Sequence, residues 1–209
     1  MQPLNYTQFK TAMFLTGITA LLLLACSFLY GKIDFFLLLN ANLGKPADLF
    51  FKIWTNMGDG VWWVVVLLLF ILFRKEKISL LIGSFVFSEL LIQLFKSALI
   101  PDEARPTKAI TDGSIIHTVP GVELHLISSF PSGHTVEIFT FFLLACLLIN
   151  KRWIIPIGFI YALLVGYSRI YLAQHFPLDV GGGMIIAMLS VSAALLVTRQ
   201  IEKRKALIL

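Results

Sequence analysis

Residues 60–100 read GVWWVVVLLLFILF (60–73), RKEK (74–77) and ISLLIGSFVFSELLIQLFKSALI (78–100). Two apolar runs flank four charged residues. Runs of this kind suit hydrocarbon, where a crossing helix needs about 20 residues. Lipid cannot satisfy the backbone of an open strand, so each run reads as a helix whose N–H and C=O groups bond within the segment. The first run is short, which places Asp59 and Arg74 at the two interfaces, with the long Arg74 side chain free to snorkel.

The pattern recurs outward in both directions, at 11–30, 132–150, 153–168 and 180–198. The expected fold is an all-α integral membrane protein with six transmembrane helices, one domain over 1–209. Composition agrees. Of 209 residues, 58% are hydrophobic and 14% charged, with mean hydropathy +0.87; soluble domains lie nearer half and a quarter. That much apolar surface excludes disorder, and runs of membrane length argue against a soluble globule. Cys26 and Cys146 sit inside apolar runs and read as packing residues, not as a disulfide or metal pair. Leu23-Leu24-Ala25-Cys26 resembles a lipoprotein cleavage box. Only Lys10 supplies positive charge before it, and apolar residues resume at Phe28, so an intact first span is expected.

Six spans put both termini on one side. Lys10, Arg74, Lys75, Lys77, Lys151, Arg152, Arg199, Lys203, Arg204 and Lys205 fall there, ten of the 17 basic residues, against two acids, Glu76 and Glu202. The other side carries seven cations and eight acids. The positive-inside bias therefore places both termini in the cytoplasm, and a bacterial inner membrane is the expected setting. The net charge of +5 marks topology, not a nucleic-acid partner. Nothing in the sequence sets the oligomeric state. Between the first two spans, Leu49, Phe50, Ile53 and Trp54 share one helical face, with Asp48 and Lys52 opposite. This reads as a short helix in the outer interface, or as a packed re-entrant loop.

Polar chemistry collects at the outer ends of the spans, in three clusters. Lys96 lies one turn before the third span ends near Pro101, and Arg105-Pro106 follows. Two cations at a helix mouth can hold an anion, and a guanidinium can hold it bidentately. Phe130-Pro131-Ser132-Gly133-His134 opens the fourth span. Ser132 stands at the N-cap, Gly133 permits close approach to the backbone, and free N–H groups at the positive end of the helix dipole favour a phosphate. His134, in the first turn, can give or take a proton near neutral pH. Ser168-Arg169, His175 and Asp179 bridge spans five and six. Pro177 suits a first helical position, which leaves Asp179 one turn beyond His175, able to orient its imidazole.

Singly, each cluster has an ordinary reading: a snorkelling lysine, a helix cap, an Asp and an Arg placed by helix dipoles. Together they supply what phosphoryl transfer needs without a metal. Cations and N–H groups neutralise the phosphate, one imidazole attacks, and the other protonates the leaving oxygen.

These blocks resemble the membrane-bound type 2 phosphatidic-acid phosphatase superfamily, also called lipid phosphate phosphatases. Pro131-Ser132-Gly133-His134 matches the family's second block unaltered. Ser168-Arg169, five residues, His175, three residues, Asp179 matches the third. The first block departs: eight residues separate Lys96 from Arg105-Pro106, two more than is usual, and Ala98 stands where the usual spacing puts lysine. The resemblance covers about 96–179. It implies a helical membrane core with the site near the outer surface. It implies that His175 is the nucleophile, that Asp179 orients it, and that His134 protonates the leaving group. Lys96, Arg105, Ser132, Gly133 and Arg169 would bind the phosphate, and no cofactor or divalent metal would be required. The expected substrate is a phosphomonoester or diphosphate lipid of the outer leaflet: undecaprenyl diphosphate, phosphatidylglycerophosphate, phosphatidic acid or a lipid A phosphate. The alternative is an anion- or lipid-binding transporter or scaffold that retains the pocket without catalysis, which leaves the histidine–acid pairing unexplained. A vanadate site like that of the related haloperoxidases is disfavoured, because those relatives are larger and soluble.

Two features lie outside the family pattern. Glu89 and Glu137 fall within spans, where a charge is costly. Glu137 shares the His134 face one turn deeper, so the two read as a packing pair or as groups that tune the site. Residues 114–129 carry Pro120-Gly121 between apolar stretches. They read as a strand pair around a turn or as a cover over the site, with His117 and His125 as head-group contacts or ordinary surface residues; Pro-Gly favours a type II turn, which suits tight hairpins poorly.

Overall fold

Helix formation starts at Asn5, whose side chain accepts the Gln8 N–H at 3.0 Å and caps α1 (Tyr6–Leu29). The computed structural model describes residues 4–208, with side chains described through Arg204. The ends of both termini and the Lys205 side chain, which entered the charge count above, lie outside the described residues. After α1 come α2 (Lys32–Leu39), α3 (Lys45–Trp54) with a 3-10 turn at Thr55–Gly58, and α4 (Val61–Phe73). Helix α5 (Ile78–Gln93) runs on through a π-helical turn, Leu94–Leu99, and α6 is the short Pro106–Ala109. The last three are α7 (Gly133–Leu148), α8 (Ile154–Tyr171) and α9 (Pro177–Ile208). Among the described residues there is no strand.

Helix α9 packs along α5, α1 and α7, and α7 also packs along α8 and α1. Eleven of the 16 residues of α7 are buried, which makes it the centre of the bundle. Helix α4 is peripheral, with only Trp63 and Phe70 buried. Several hydroxyls inside the apolar helices are satisfied locally: Thr19, Ser27, Ser84 and Ser190 each donate to the carbonyl four residues back.

Among the described residues, four helical stretches are long and apolar enough to cross a membrane: Tyr6–Leu29, Lys75–Leu99, Ile154–Tyr171 and Pro177–Arg204. The expected second span is half of a bent pair, Lys45–Gly58 and Val61–Phe73, which meet at 54°. The expected fourth, α7, has 16 residues. It is sheathed by protein, so it need not match the hydrocarbon thickness. The short helix expected here is present as α3, with Leu49, Phe50 and Ile53 exposed, Trp54 half-buried and its polar side turned inward. There Asp48 accepts the Tyr171 hydroxyl at 2.6 Å, and Lys52 donates to the Pro120 carbonyl at 2.9 Å. The preceding helix α2 was not anticipated.

Contacts sort the molecule into two ends. At one end the Asn5 N–H reaches the Leu147 carbonyl at 2.8 Å, Arg74 reaches the Leu148 carbonyl at 2.8 Å, and Lys77 pairs with Glu202 at 3.2 Å. At the other end lie the three polar clusters. Residues 114–129 form no strand pair. The Val122 N–H closes a turn on the Val119 carbonyl at 3.2 Å, but the flanking backbone bonds elsewhere. Leu126 and Ile127 carbonyls accept from Arg105, at 2.9 Å each, the Glu123 carbonyl accepts from Gln174 at 2.9 Å, and the Ser129 N–H donates to Glu103 at 3.0 Å.

Candidate active site

The end of α8 aims the site. Ala173 adopts a left-handed conformation, φ 54°, and the Arg169 carbonyl accepts the N–H groups of both Gln174 and His175, at 2.8 and 3.1 Å. This reversal is a helix C-cap in which the left-handed residue is not glycine. It turns the chain so that His175 is buried between α8 and α9. Pro177 then opens α9, and Asp179 stands in its first turn, where the helix dipole favours a carboxylate.

Asp179 is fully buried and fixed on several sides. Its Oδ2 accepts the Ser129 hydroxyl at 2.5 Å and the Phe176 N–H at 2.9 Å, and its carbonyl accepts the Ser132 N–H at 3.1 Å. Nδ1 of His175 lies 3.5 Å from Oδ2. Among the described residues, neither that nitrogen nor Asp179 Oδ1 has a hydrogen-bond partner. The pair is aligned at a separation longer than an ordinary hydrogen bond.

Ser132 stands at the N-cap of α7 as expected, but its hydroxyl accepts from Thr135 at 2.9 Å rather than capping a backbone N–H. The space over Gly133 is open, with nothing within 4 Å of where a Cβ would be. His134 makes a contact absent from the sequence expectation: Nε2 lies 2.8 Å from Asp59 Oδ1. Asp59 follows the 3-10 turn between α3 and α4. That turn presses on α7 at Gly58, where a Cβ would stand 2.8 Å from His134 Cβ and 2.9 Å from Val165. Thr55, in the same turn, accepts from Arg169 at 2.5 Å.

The cations converge from three elements. Arg105 is buried, and it donates to the Ile127 carbonyl at 2.9 Å and to the Gln174 carbonyl at 3.2 Å. Arg169 is buried with its Nε unpartnered. Lys96 sits in the π-helical turn. An i→i+5 turn takes one residue more per bond than an α turn, so part of the extra spacing before Arg105 is absorbed in the helix end. Burial first, then the charges of Arg105, Arg169 and Lys96, hold the His175 imidazole well below its ordinary value. The ring is therefore neutral, with a lone pair, at neutral pH.

A family model described as the PAP2 superfamily matches residues 77–205. An undecaprenyl-diphosphatase of Sulfolobus acidocaldarius is 30% identical over 157 residues, covering 74% of this chain and 72% of that protein. This chain belongs to the PAP2 superfamily. The crystal structure of Aquifex aeolicus LpxE superposes with a TM-score of 0.68 at 31% identity, over 78% of this chain and 94% of that one. A transmembrane PAP2-type phosphatidylglycerolphosphate phosphatase of Bacillus subtilis shares the fold, with a TM-score of 0.62 at 19% identity over 94% and 96% of the two chains.

All eight residues expected from the PAP2 blocks lie inside the matched segment. Asp59, Gly58 and Thr55 lie outside it. A signal was present in the sequence only as Gly58-Asp59-Gly60 at the mouth of a span, which reads equally as a turn. The glycines Gly181-Gly182-Gly183 were also passed over. A Cβ on Gly183 would lie 2.9 Å from the Ser132 carbonyl oxygen, and one on Gly182 would strike the Phe130 ring. Small residues here let α9 approach the start of α7. Glu137 has a buried, unpartnered Oε2, so a hydrogen-bonded Glu89–Glu137 pair is not what the bundle contains. His117 is tied into the α3 network, 2.9 Å from Asp48, and His125 is exposed. A groove of about 820 Å³ opens between α4 and α7 at the opposite end, near Arg74 and Lys151, and takes no part in this site.

Proposed function

We propose that this PAP2 protein is a lipid phosphatase that removes the terminal phosphate of a polyprenyl diphosphate of the undecaprenyl diphosphate type, at the outer face of a bacterial inner membrane. The observation that carries the reading is the buried His175–Asp179 pair, 3.5 Å apart, with the charges of Arg105, Arg169 and Lys96 acting on His175. Nδ1 lies on the Asp179 side of the ring, which supports Nε2 of His175 as the attacking nitrogen. The choice of lipid rests on the undecaprenyl-diphosphatase relative. Phosphatidylglycerophosphate, phosphatidic acid and lipid A phosphates are the competing substrates.

In the first step the Nε2 lone pair forms the N–P bond and the leaving oxygen takes the P–O electron pair and a proton from His134. Arg105, Arg169, Lys96 and the amides at Ser132 and Gly133 bind the phosphoryl oxygens as charge redistributes. Water then attacks phosphorus and gives a proton to His134, which restores the acid, and the N–P bond breaks with its electron pair returning to Nε2, leaving neutral His175 and inorganic phosphate. No step requires a metal. Six crossings, with both ends of the chain in the cytoplasm, fit the cation-rich end formed by Arg74, Lys77 and Lys151.

The test is phosphate release by the detergent-solubilised chain in EDTA, against a panel of those lipids, with His175→Ala as blank. Release that is greatest for undecaprenyl diphosphate, survives EDTA and vanishes in the blank is expected. Release that requires a divalent metal, or is undiminished in His175→Ala, would overturn the mechanism. A different lipid at the top of the panel would overturn the substrate.

A further inference from the structure

The proposed reaction needs His134 as an acid, yet most charges around it oppose that role. Burial acts on His134 first, and then the charges of Arg169 from α8, His175, Lys96 from the end of α5 and Arg105 from the following loop. Three cations beside an imidazole disfavour its protonated form. Bound phosphate offsets part of this field, but a fixed carboxylate is the direct remedy. Glu137, on the same helix, has its Oε2 without a hydrogen-bond partner among the described residues, and Glu89 from α5 and Asp59 act on it. The carboxylate that touches His134 is Asp59, at 2.8 Å.

We propose that Asp59 is the positioning residue of the acid: it holds Nε2 of His134, turns the other ring nitrogen toward the leaving oxygen, and favours the imidazolium that the first step consumes. The inference rests on the acid role given to His134 above. Three features of the chain support it. The Asp59 backbone is set by its own turn, with its N–H on the Asn56 carbonyl at 3.3 Å and its carbonyl accepting from Trp62 at 3.0 Å. Gly58 allows that turn to lie against His134 at a distance no side chain would permit. Thr55 ties the same turn to Arg169, a phosphate ligand in the proposed mechanism. The site thus has two histidine–carboxylate pairs, one for the nucleophile and one for the acid, and the second carboxylate comes from outside the segment that the family model matches.

An ion pair this accessible, with side-chain exposures of 27% and 43%, is ordinarily worth little to stability. The test therefore reads the proton on His134 rather than the fold. The full chain is labelled on histidine with ¹³C and ¹⁵N and studied in detergent with inorganic phosphate present, and the His134 signal is assigned by its loss in His134→Gln. Asp59→Asn is expected to lower the His134 midpoint by about one pH unit or more, and Asp59→Glu to restore most of it. The alkaline limb of kcat for lipid phosphate release should move down with it, while KM changes little. A His134 titration in Asp59→Asn that superposes on the wild-type curve overturns the proposal, as does an equal loss of kcat at every pH. Should Asp59→Asn fail to fold, the wild-type chain still decides. Resting His134 protonated on Nε2 supports the pairing, and resting His134 protonated on Nδ1 overturns it. Because the titration needs no turnover, failure of the phosphatase reading and failure of this one are seen separately.

Discussion

His175 is neutral at a pH where an exposed imidazole is partly charged, because burial and the neighbouring cations all oppose its protonation. Its folded pKa lies below the unfolded value of about 6.5. The unfolded chain therefore binds the proton more readily, and the contribution of this residue is present above about pH 6.5 and lost as pH falls below it. Thermal unfolding in detergent should show wild-type stability dropping between pH 6.5 and 5, with a slope from this group of at most about 1.4 kcal/mol per pH unit. In His175→Gln that part of the slope should be missing, and an unchanged slope would count against a buried neutral ring. Asp48 acts lower on the scale. Its carboxyl is held below the usual range, chiefly by the Tyr171 hydroxyl, so its contribution is lost only as pH falls below about 4. Ala173 is a second local matter. A left-handed residue with a Cβ costs roughly 1–2 kcal/mol, so Ala173→Gly should leave melting unchanged or raise it, whereas Ala173→Val should lower it and reduce phosphate release. Melting curves and initial rates of the two variants check this.

Between elements, the critical contact is α9 against the start of α7. The Ser132 carbonyl that faces Gly183 is backbone at a helix N-cap and cannot swing aside. Gly183→Ala should push α9 away from Ser132 and with it move Asp179, whose carbonyl holds the Ser132 N–H. Overpacking of this kind costs about 1–3 kcal/mol, and an ångström of misplacement at reacting groups can cost about 100-fold in rate. A fall in kcat/KM of tenfold or more with a modest drop in melting temperature is expected; wild-type kinetics would show that the helices yield. The long apolar helices were legible, because apolar runs and Pro177 are local signals, whereas the short α2 and α6 were not. The short span 60–73 was legible as a run but not as half of a bent pair, since the 54° angle arises where Thr55–Gly58 packs on α7 and α8. The loop 114–129 was least legible. Its backbone groups bond to Arg105, Gln174 and Glu103, partners that no local pattern announces.

At the scale of the whole molecule, the two ends differ in charge, and that difference predicts orientation. In a chain with Cys26 and Cys146 replaced by Ala, a cysteine at Asp112 should react with an impermeant maleimide on intact cells. One at Lys151 should react only after permeabilisation; both positions are exposed. The opposite pattern would place the site in the cytoplasm.

The sequence by itself determined the helical membrane class and the family, and it carries the three blocks at 96–179 from which the eight proposed site residues are drawn. Each of these is written in short-range spacing: apolar runs of bilayer length, a proline at a helix start, a histidine and an aspartate one turn apart. Tertiary structure alone decided that Asp59 meets His134, that Thr55 meets Arg169, and that glycines in α9 admit the start of α7. Those contacts join segments far apart in the chain, and they exist only because close packing of α7 among α1, α8 and α9 leaves one place for the bend between α3 and α4 to lie.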